Sequence, residues 1–177
     1  MFKTAPPTLD ISILIGAPPA VVCGAFFDPE GLKAWRRAVR SVTIPRVLGP
    51  FVIEWPTGTD PDAILGPLGG VFRGTIMQID EDRGFFVADA YWLPPEGNPI
   101  GPMALEIACE IEAESNGEIT TRLRVTQNGF EESARWRRYY EVSEGAWTRA
   151  LNALKARLER HTESRDRAIG VRAIEGE

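Results

Sequence analysis

The residue types needed for metal binding and for nucleophilic catalysis are scarce in this chain. Its 177 residues include a single histidine, His161, and two cysteines, Cys23 and Cys109. A zinc site needs several clustered His, Cys or carboxylate ligands, and a serine-type triad needs a histidine beside its nucleophile. His161 falls at the end of a predicted helix, where a cation interacts favourably with the helix dipole. The sequence therefore predicts no metal site and no catalytic triad.

Two segments contain residue types that bind phosphate or carboxylate groups. Gly66, Gly69 and Gly70 lie close together, but no Gly-Lys-Ser/Thr follows them and no helix begins there. A flexible loop is therefore favoured over a phosphate-binding loop, and we predict no cofactor. The run 135–140 (RWRRYY) could clamp an anion, because an arginine fork matches carboxylate and phosphate. We favour the alternative, a helix face with solvated arginines and inward-facing aromatic rings.

Four polar residues on predicted strands are candidates for acid–base chemistry: Glu54, Arg73, Asp89 and Tyr91. A buried carboxylate with a raised pKa would mark a functional site. The alternation of each strand, however, places most of these side chains on the outer face of a sheet, where Arg73 and Asp89 could pair across a hairpin. We therefore predict no catalytic residue among them.

Composition and charge limit the partners and the cellular location that this protein can have. The net charge of −5 argues against a nucleic-acid partner and against docking on an anionic membrane, since both need clustered Lys and Arg. The apolar segment 11–27 is interrupted by Pro18 and Pro19, so a signal peptide is not favoured, and no other run is long enough to span a membrane. Cys23 and Cys109 lie in apolar segments and are predicted to be buried and free. These features predict a cytoplasmic protein.

The last predicted helix, 139–161, needs a broad apolar partner. Trp147, Leu151, Leu154 and Leu158 recur at steps of four, three and four, which places them on one helical face. The opposite face is polar and is predicted to be exposed: Arg149, Asn152, Lys155 and Glu159. Most of the stability of such a helix comes from packing its apolar face. We therefore predict that a curved antiparallel sheet holds it.

The rest of the chain supplies that sheet. Strands are predicted at 9–15, 40–44, 50–55, 71–79, 84–92, 103–113 and 119–127, with short helices at 20–27 and 29–35. Two Pro/Gly-rich loops, 56–70 and 94–102, interrupt them. The segment after His161 is charged and aperiodic. We predict one domain, 1–161, followed by a disordered tail, 162–177.

Alternation along the two long hairpins predicts which side chains face the helix. In the second hairpin, the inward set is Met103, Leu105, Ile107, Cys109 and Ile111, with Ile119, Thr121, Leu123 and Val125 opposite. In the first hairpin, the more uniformly apolar set is Phe72, Gly74, Ile76, Phe86, Ala88, Ala90 and Trp92. We predict that this set points inward.

Two motifs carry a resemblance to a known superfamily. The first is I-x-I-x-x-G-A-P-P-A-V-V-x-x-A-F-F-D-P-E-G-L-K-A-W, from Ile11 to Trp35, and the second is N-G-F…Y-Y…G-A-W-x-x-x-L-x-x-L-x-x-x-L, from Asn128 to Leu158. Together with F-R-G-x-I at 72–76, they resemble the helix-grip (START-like, SRPBCC) superfamily. Within it, the chain looks most like homologues of the activator of the ninety-kilodalton heat-shock protein ATPase. The resemblance implies an α+β fold in which a curved antiparallel sheet of six to seven strands wraps around the long C-terminal helix, with two short helices between the first and second strands.

A curved sheet with one helix across it encloses more space than the helix fills, so we predict an apolar cavity. Its predicted lining residues are Trp35, Phe51, Ile53, Trp55, Phe72, Ile76, Phe86, Ala88, Trp92, Met103, Leu105, Ile107, Leu123, Phe130, Trp147, Leu151 and Leu154. We expect this space to bind a small apolar or aromatic molecule without catalysis. Two alternatives stay open. One is a cavity enzyme of the polyketide cyclase, aromatase or hydrolase kind, and the other is an interaction module that regulates a chaperone ATPase or another partner; a homodimer is also open.

Overall fold

The computed structural model describes the backbone of residues 7–174 and the side chains of residues 7–164. Its elements are β1 (Leu9–Ile15), α1 (Pro19–Gly24), α2 (Pro29–Trp35), β2 (Arg40–Thr43), β3 (Pro50–Trp55), β4 (Gly70–Asp80), β5 (Gly84–Leu93), β6 (Ile100–Ser115), β7 (Glu118–Asn128) and α3 (Ala134–Ile174). The strands form one antiparallel sheet in the order β1-β7-β6-β5-β4-β3-β2. The sheet curves around α3, and α1 and α2 connect its two edge strands. The predicted fold class is therefore confirmed.

The two short helices begin where proline predicts. Pro19 opens α1 and Pro29 opens α2, in first-turn positions where the missing N–H costs nothing. Asp28 occupies the N-cap position of α2, although its side chain makes no capping hydrogen bond.

The α1 helix packs on β6 through Cys23, whose Sγ lies 2.6 Å from Cys109 Sγ in the core. Both thiols are buried and free, and the Cys23 contact and burial raise the pKa of Cys109.

The inward face of β5 differs from the prediction. Phe85 and Val87 are buried, whereas Phe86 and Ala88 are only partly buried and lie on the other face. The cause is a bulge at Asp89, which has a φ of 51° and lies where the pairing with β6 shifts between Val87 and Ala90. An extra residue in one strand reverses the alternation on one side of it. Ala90 and Trp92, beyond the bulge, are buried as predicted.

The second hairpin follows its predicted alternation except at its tip. Met103, Leu105, Ile107 and Cys109 are buried, but Ile111 is 57% exposed. The pairing of β6 with β7 shifts just after Ile111, where the hairpin leaves the core. The prediction for Ile111 is therefore wrong. Alternation predicts which side chains are buried only along the part of a strand that packs on the core.

The α3 helix lays its predicted apolar face on the sheet. Trp147, Leu151 and Leu154 are buried and Leu158 is partly buried. The helix begins before and ends beyond the predicted 139–161, reaching Ile174. Residues 175–177 lie outside the described residues, and the side chains of 165–174 are not described. The prediction that the tail, 162–177, is disordered therefore stays a prediction.

The face of α3 that was expected to be fully exposed also makes contacts. The Lys155 ammonium donates to the Leu14 carbonyl at 2.6 Å and to Glu159 at 2.7 Å. The Glu159 carboxylate in turn accepts from the Gly16 backbone N–H at 2.9 Å. These contacts join the end of β1 to α3, so the expectation that Lys155 and Glu159 only face solvent is wrong.

Candidate ligand-binding cavity

A cavity of about 710 Å³ lies between the inner face of the sheet, α2 and α3. This volume falls within the roughly 300–1,000 Å³ typical of small-molecule sites. The sheet contributes Phe51, Ile53, Trp55, Phe72, Trp92 and Leu105, α2 contributes Trp35, and α3 contributes Trp147. Apolar side chains from the sheet, α2 and α3 therefore line three sides of the space.

Small side chains on α3 leave the cavity open. Ala146 and Ala150 lie one helical turn apart and both line it, beside Trp147. Gly74 of β4, by contrast, does not line the cavity. A Cβ at Gly74 would come within 2.5 Å of the Val87 side chain, so this glycine allows close packing of β4 on β5.

The structure divides the predicted lining residues into three groups. Those that line the cavity are Trp35, Phe51, Ile53, Trp55, Phe72, Trp92, Leu105 and Trp147. Those buried in the core outside the cavity lining are Ile76, Met103, Ile107, Leu123, Phe130, Leu151 and Leu154. Phe86 and Ala88 face away because of the bulge in β5. Apart from β5 and the tip of β6, alternation identified the inner face of the sheet, but not which of its residues line the cavity.

Arg36 is a lining residue that the sequence reasoning missed. It follows the last residue of α2, and its guanidinium carbon lies 4.0 Å from the ring centroid of Trp147 and 5.0 Å from that of Trp55. The Trp55 indole also donates to the Arg36 carbonyl at 2.9 Å, which fixes the backbone there. The Arg36 Nε is shielded from solvent and has no hydrogen-bond partner among the described residues.

Burial changes the acid–base behaviour of Arg36 without removing its charge. Desolvation lowers the pKa of Arg36 to about 10, while its interaction with Tyr139 acts in the opposite direction. At neutral pH the guanidinium is therefore still protonated. Arg37 and Arg149 also line the space, at exposed positions, and the described lining contains no Asp or Glu. The cavity is cationic although the chain as a whole has a net charge of −5.

The other polar groups in the cavity are neutral and bonded to one another. The Gln127 side-chain Nε2 donates to Tyr139 Oη at 3.4 Å, and the Trp147 indole N–H donates to Gln127 Oε1 at 3.4 Å. Burial raises the pKa of Tyr139, partly offset by its hydrogen bonds with Gln127 and Ser143 and by Arg36. The Tyr139 ring stacks on Trp92 with centroids 5.3 Å apart. This network can orient a ligand, but it offers no carboxylate or imidazole base.

The polar residues singled out as acid–base candidates lie outside the cavity. Glu54 pairs with Arg40 at 2.6 Å on the outer side of β3, and Asp89 is exposed at the bulge. Arg73 lies over the Tyr91 ring, with its guanidinium carbon 5.4 Å from the centroid, rather than pairing with Asp89 as the sequence suggested. None of these four residues lines the space.

Arginines of the basic and aromatic run 135–140 bind the two Pro/Gly-rich loops rather than forming an anion clamp. Trp136 and Tyr139 turn inward, as favoured. Arg135 donates to the carbonyls of Asn98 and Pro99, in the second Pro/Gly-rich loop. Arg138 pairs with Asp62 in the first Pro/Gly-rich loop, at 2.8 Å. The run therefore ties both loops to α3.

Asp62 is the centre of the loop that covers one side of the cavity. Its carboxylate accepts from the backbone N–H groups of Ile64 and Leu65, each at 3.0 Å, as well as from Arg138. The two backbone bonds, followed by Arg138, hold the pKa of Asp62 below its ordinary value of 3.8. The same loop places Leu65 against the cavity.

Asp62→Asn is expected to destabilise the protein at neutral pH, because it removes the charge that holds this loop. A carboxyl whose pKa is lowered by folding stabilises the folded state above its ordinary pKa of 3.8, and that contribution is lost as the pH falls through the lowered value. Urea unfolding of the wild type and the variant should therefore differ at pH 7, and the difference should shrink as the pH falls below 3.8. Asp60→Asn, at an exposed position of the same loop, is the matched control. A difference that stays constant with pH would contradict this assignment.

Taken together, the sheet, the two short helices and the long C-terminal helix define the helix-grip fold, here with a largely apolar cavity that contains a partly buried arginine. Several solved structures share this fold with the chain. Protein MLL2253 from Mesorhizobium loti has a TM-score of 0.60 at 20% identity, over 87% of this chain and 98% of that one. The AHSA1 protein from Silicibacter pomeroyi has a TM-score of 0.59 at 13% identity, over 86% of this chain and 99% of that one.

A putative uncharacterised protein from Rhizobium leguminosarum is similar to the same degree. Its TM-score is 0.58 at 21% identity, over 87% of this chain and 95% of that one. No family model matches the chain, and no curated protein is significantly similar in sequence. At these identities the likeness establishes the fold, in agreement with the resemblance seen in the sequence, and leaves the function to be argued from the cavity.

No helix within residues 7–174 has both the length and the apolar character needed to cross a bilayer. Among the side chains of residues 7–164, no group of three or more His, Cys, Asp or Glu is arranged to hold a metal ion.

Proposed function

We propose that the protein binds a small apolar or aromatic molecule in the cavity between the sheet and α3. The observation that carries this proposal is the cavity itself, about 710 Å³ in volume and walled by four tryptophans and two phenylalanines. Burial of apolar surface contributes roughly 25 cal/mol per Å² before the costs of association are subtracted. A ligand of one or two fused rings would therefore gain most of its affinity from these walls. The predicted cytoplasmic location stays a prediction.

The alternative of a cavity enzyme has less support. A cyclase, aromatase or hydrolase needs at least one group that can move a proton at the reacting atom. The described lining offers Tyr139 and Gln127, which are bonded to each other, and no carboxylate or histidine. Non-catalytic binding accounts for this lining better than catalysis does.

The alternative of an interaction module has one observation in its favour. Five exposed apolar side chains lie on or beside the edge strand β2 and the turn after it: Val39, Val42, Ile44, Val47 and Leu48. Exposed apolar clusters at a free sheet edge are found at protein contacts. We keep partner binding, to a second copy or to another protein such as a chaperone, as the second candidate function.

Nile red, a neutral apolar dye that fluoresces in dry surroundings, tests the first proposal. We expect saturable binding with one site per chain and a change in the emission of the tryptophans that line the cavity, Trp55 and Trp147 among them. The free dye, titrated into buffer and into the urea-unfolded chain, is the control. Absence of binding, or binding that never saturates, would contradict a ligand-binding cavity. Partner binding through the exposed apolar side chains at β2 would then be the better-supported function.

A further inference from the structure

We infer that the ligand carries a carboxylate and that Arg36 is the residue that binds it. This inference rests on the proposed function and adds the chemical class of the ligand: an organic acid with an apolar or aromatic body and a single negative charge. The first observation is the position of a charged group beside the aromatic walls of the cavity. Arg36 lines the same space as Phe51, Phe72 and Trp92.

Among the described residues, no carboxylate forms a salt bridge with Arg36. The salt bridges among the described residues involve Lys33, Arg40, Arg122, Arg124, Arg138 and Lys155, but not Arg36. Its Nε is buried without a hydrogen-bond partner. Buried charges in proteins are ordinarily paired, and buried N–H groups are ordinarily bonded. An anionic group brought by a ligand would satisfy both requirements.

The two tryptophans around Arg36 hold it in a form suited to a carboxylate. Its guanidinium lies against the rings of Trp147 and Trp55, and the Trp55 indole anchors its backbone carbonyl. Stacking uses the faces of the guanidinium and leaves the N–H groups at its edge. An edge with two parallel N–H groups matches the two oxygens of a carboxylate.

The rest of the lining favours an acid over a neutral or basic ligand. The described lining has no Asp or Glu that could neutralise Arg36, and Arg37 and Arg149 add positive charge at exposed positions. A cleft lined by one sign of charge attracts ligands of the opposite sign. Arg37 and Arg149 are exposed to solvent, so Arg36 is the one lining arginine that a ligand seated among the apolar walls would meet away from solvent, and a monocarboxylate fits there better than a doubly charged phosphate.

The test compares two ligands of nearly the same shape, 2-naphthoate and 2-naphthamide, by isothermal titration calorimetry at pH 7.5. We expect the wild type to bind the naphthoate at least about tenfold more tightly, as hydrogen bonds to charged groups allow. Arg36→Met, which keeps the length of the side chain but removes its charge, should abolish this preference and leave naphthamide affinity within about twofold. Arg46→Gln, which changes an exposed arginine outside the cavity lining, should retain the preference and is the matched control.

Each outcome separates this inference from the proposed function. Equal affinity of the wild type for both ligands, or a preference that survives Arg36→Met, would overturn the assignment of the carboxylate while leaving the cavity as a binding site. Nile red binding without detectable naphthoate binding would have the same meaning. If 2-naphthoate, 2-naphthamide and Nile red all fail to bind, the proposed function fails as well. The wild-type comparison decides the matter even if Arg36→Met does not fold, and Arg36→Gln provides a second variant.

Discussion

Filling the cavity from α3, with the double substitution Ala146→Trp and Ala150→Trp, is expected to weaken Nile red binding on the order of 100-fold, which corresponds to about 2.7 kcal/mol. Both alanines line the cavity one turn apart, so the new indoles would occupy the space between α3 and the sheet. The ligand would lose room as well as the aromatic walls that they cover. Binding should be measured by dye fluorescence, and folding by circular dichroism.

The same helix offers a matched control. Asn152 and Ala156 have the same spacing as Ala146 and Ala150, but both are exposed and neither lines the cavity. Asn152→Trp with Ala156→Trp should leave the affinity unchanged within about twofold, since it adds the same two indoles outside the site. Equal weakening by both pairs would show that the dye binds elsewhere on α3. Overpacking can cost about 1–3 kcal/mol of stability, so binding is compared only where the variant is folded.

Leu154→Ala is expected to lower the free energy of unfolding by about 2–5 kcal/mol. Leu154 is 0% exposed and lies where α3 meets the sheet, beside the buried Leu151. Truncation removes buried methyl groups and leaves a void that close-packed neighbours cannot fill. Because the average domain is only marginally stable, a loss of this size should be clear in urea unfolding.

Arg160→Ala is the control for this prediction, because Arg160 is exposed on the same helix. Its effect should be below about 0.5 kcal/mol. Lys155 would be a poor control, since its ammonium bonds the Leu14 carbonyl and Glu159. Similar losses for Leu154→Ala and Arg160→Ala would mean that α3 does not lie on the sheet through its apolar face.

The elements of this protein could be predicted from its sequence because their signals are local. The bounds of β1 and β3 match the prediction, since isoleucine-rich alternation and flanking Pro and Gly residues define them within the segment itself. The apolar face of α3 could be predicted because the spacing of Trp147, Leu151 and Leu154 is a property of the helix alone. These two patterns, with the motifs at 11–35 and 128–158, were sufficient for the fold class.

The inward face of β5 could not be predicted, because a bulge has no clear signal in the alternation. Phe85 to Trp92 is apolar except for Asp89, and simple alternation places Phe86 and Ala88 on the same face as Ala90 and Trp92. The pairing with β6 introduces the extra residue near Asp89 and thereby turns Val87 inward and Ala88 outward. Register between strands is a property of two segments at once, so one segment alone does not determine it.

The chemistry of the cavity was decided by tertiary structure alone. In the sequence, Arg36 is one of two adjacent arginines at the end of a short helix, a position that ordinarily faces solvent. Only the folded chain brings Trp55 from β3 and Trp147 from α3 onto its guanidinium. The same holds for the loop that Asp62 fastens to Arg138, 76 residues further along. Such contacts depend on how the sheet curves and where α3 crosses it, and both result from the packing of the whole core rather than from any local pattern.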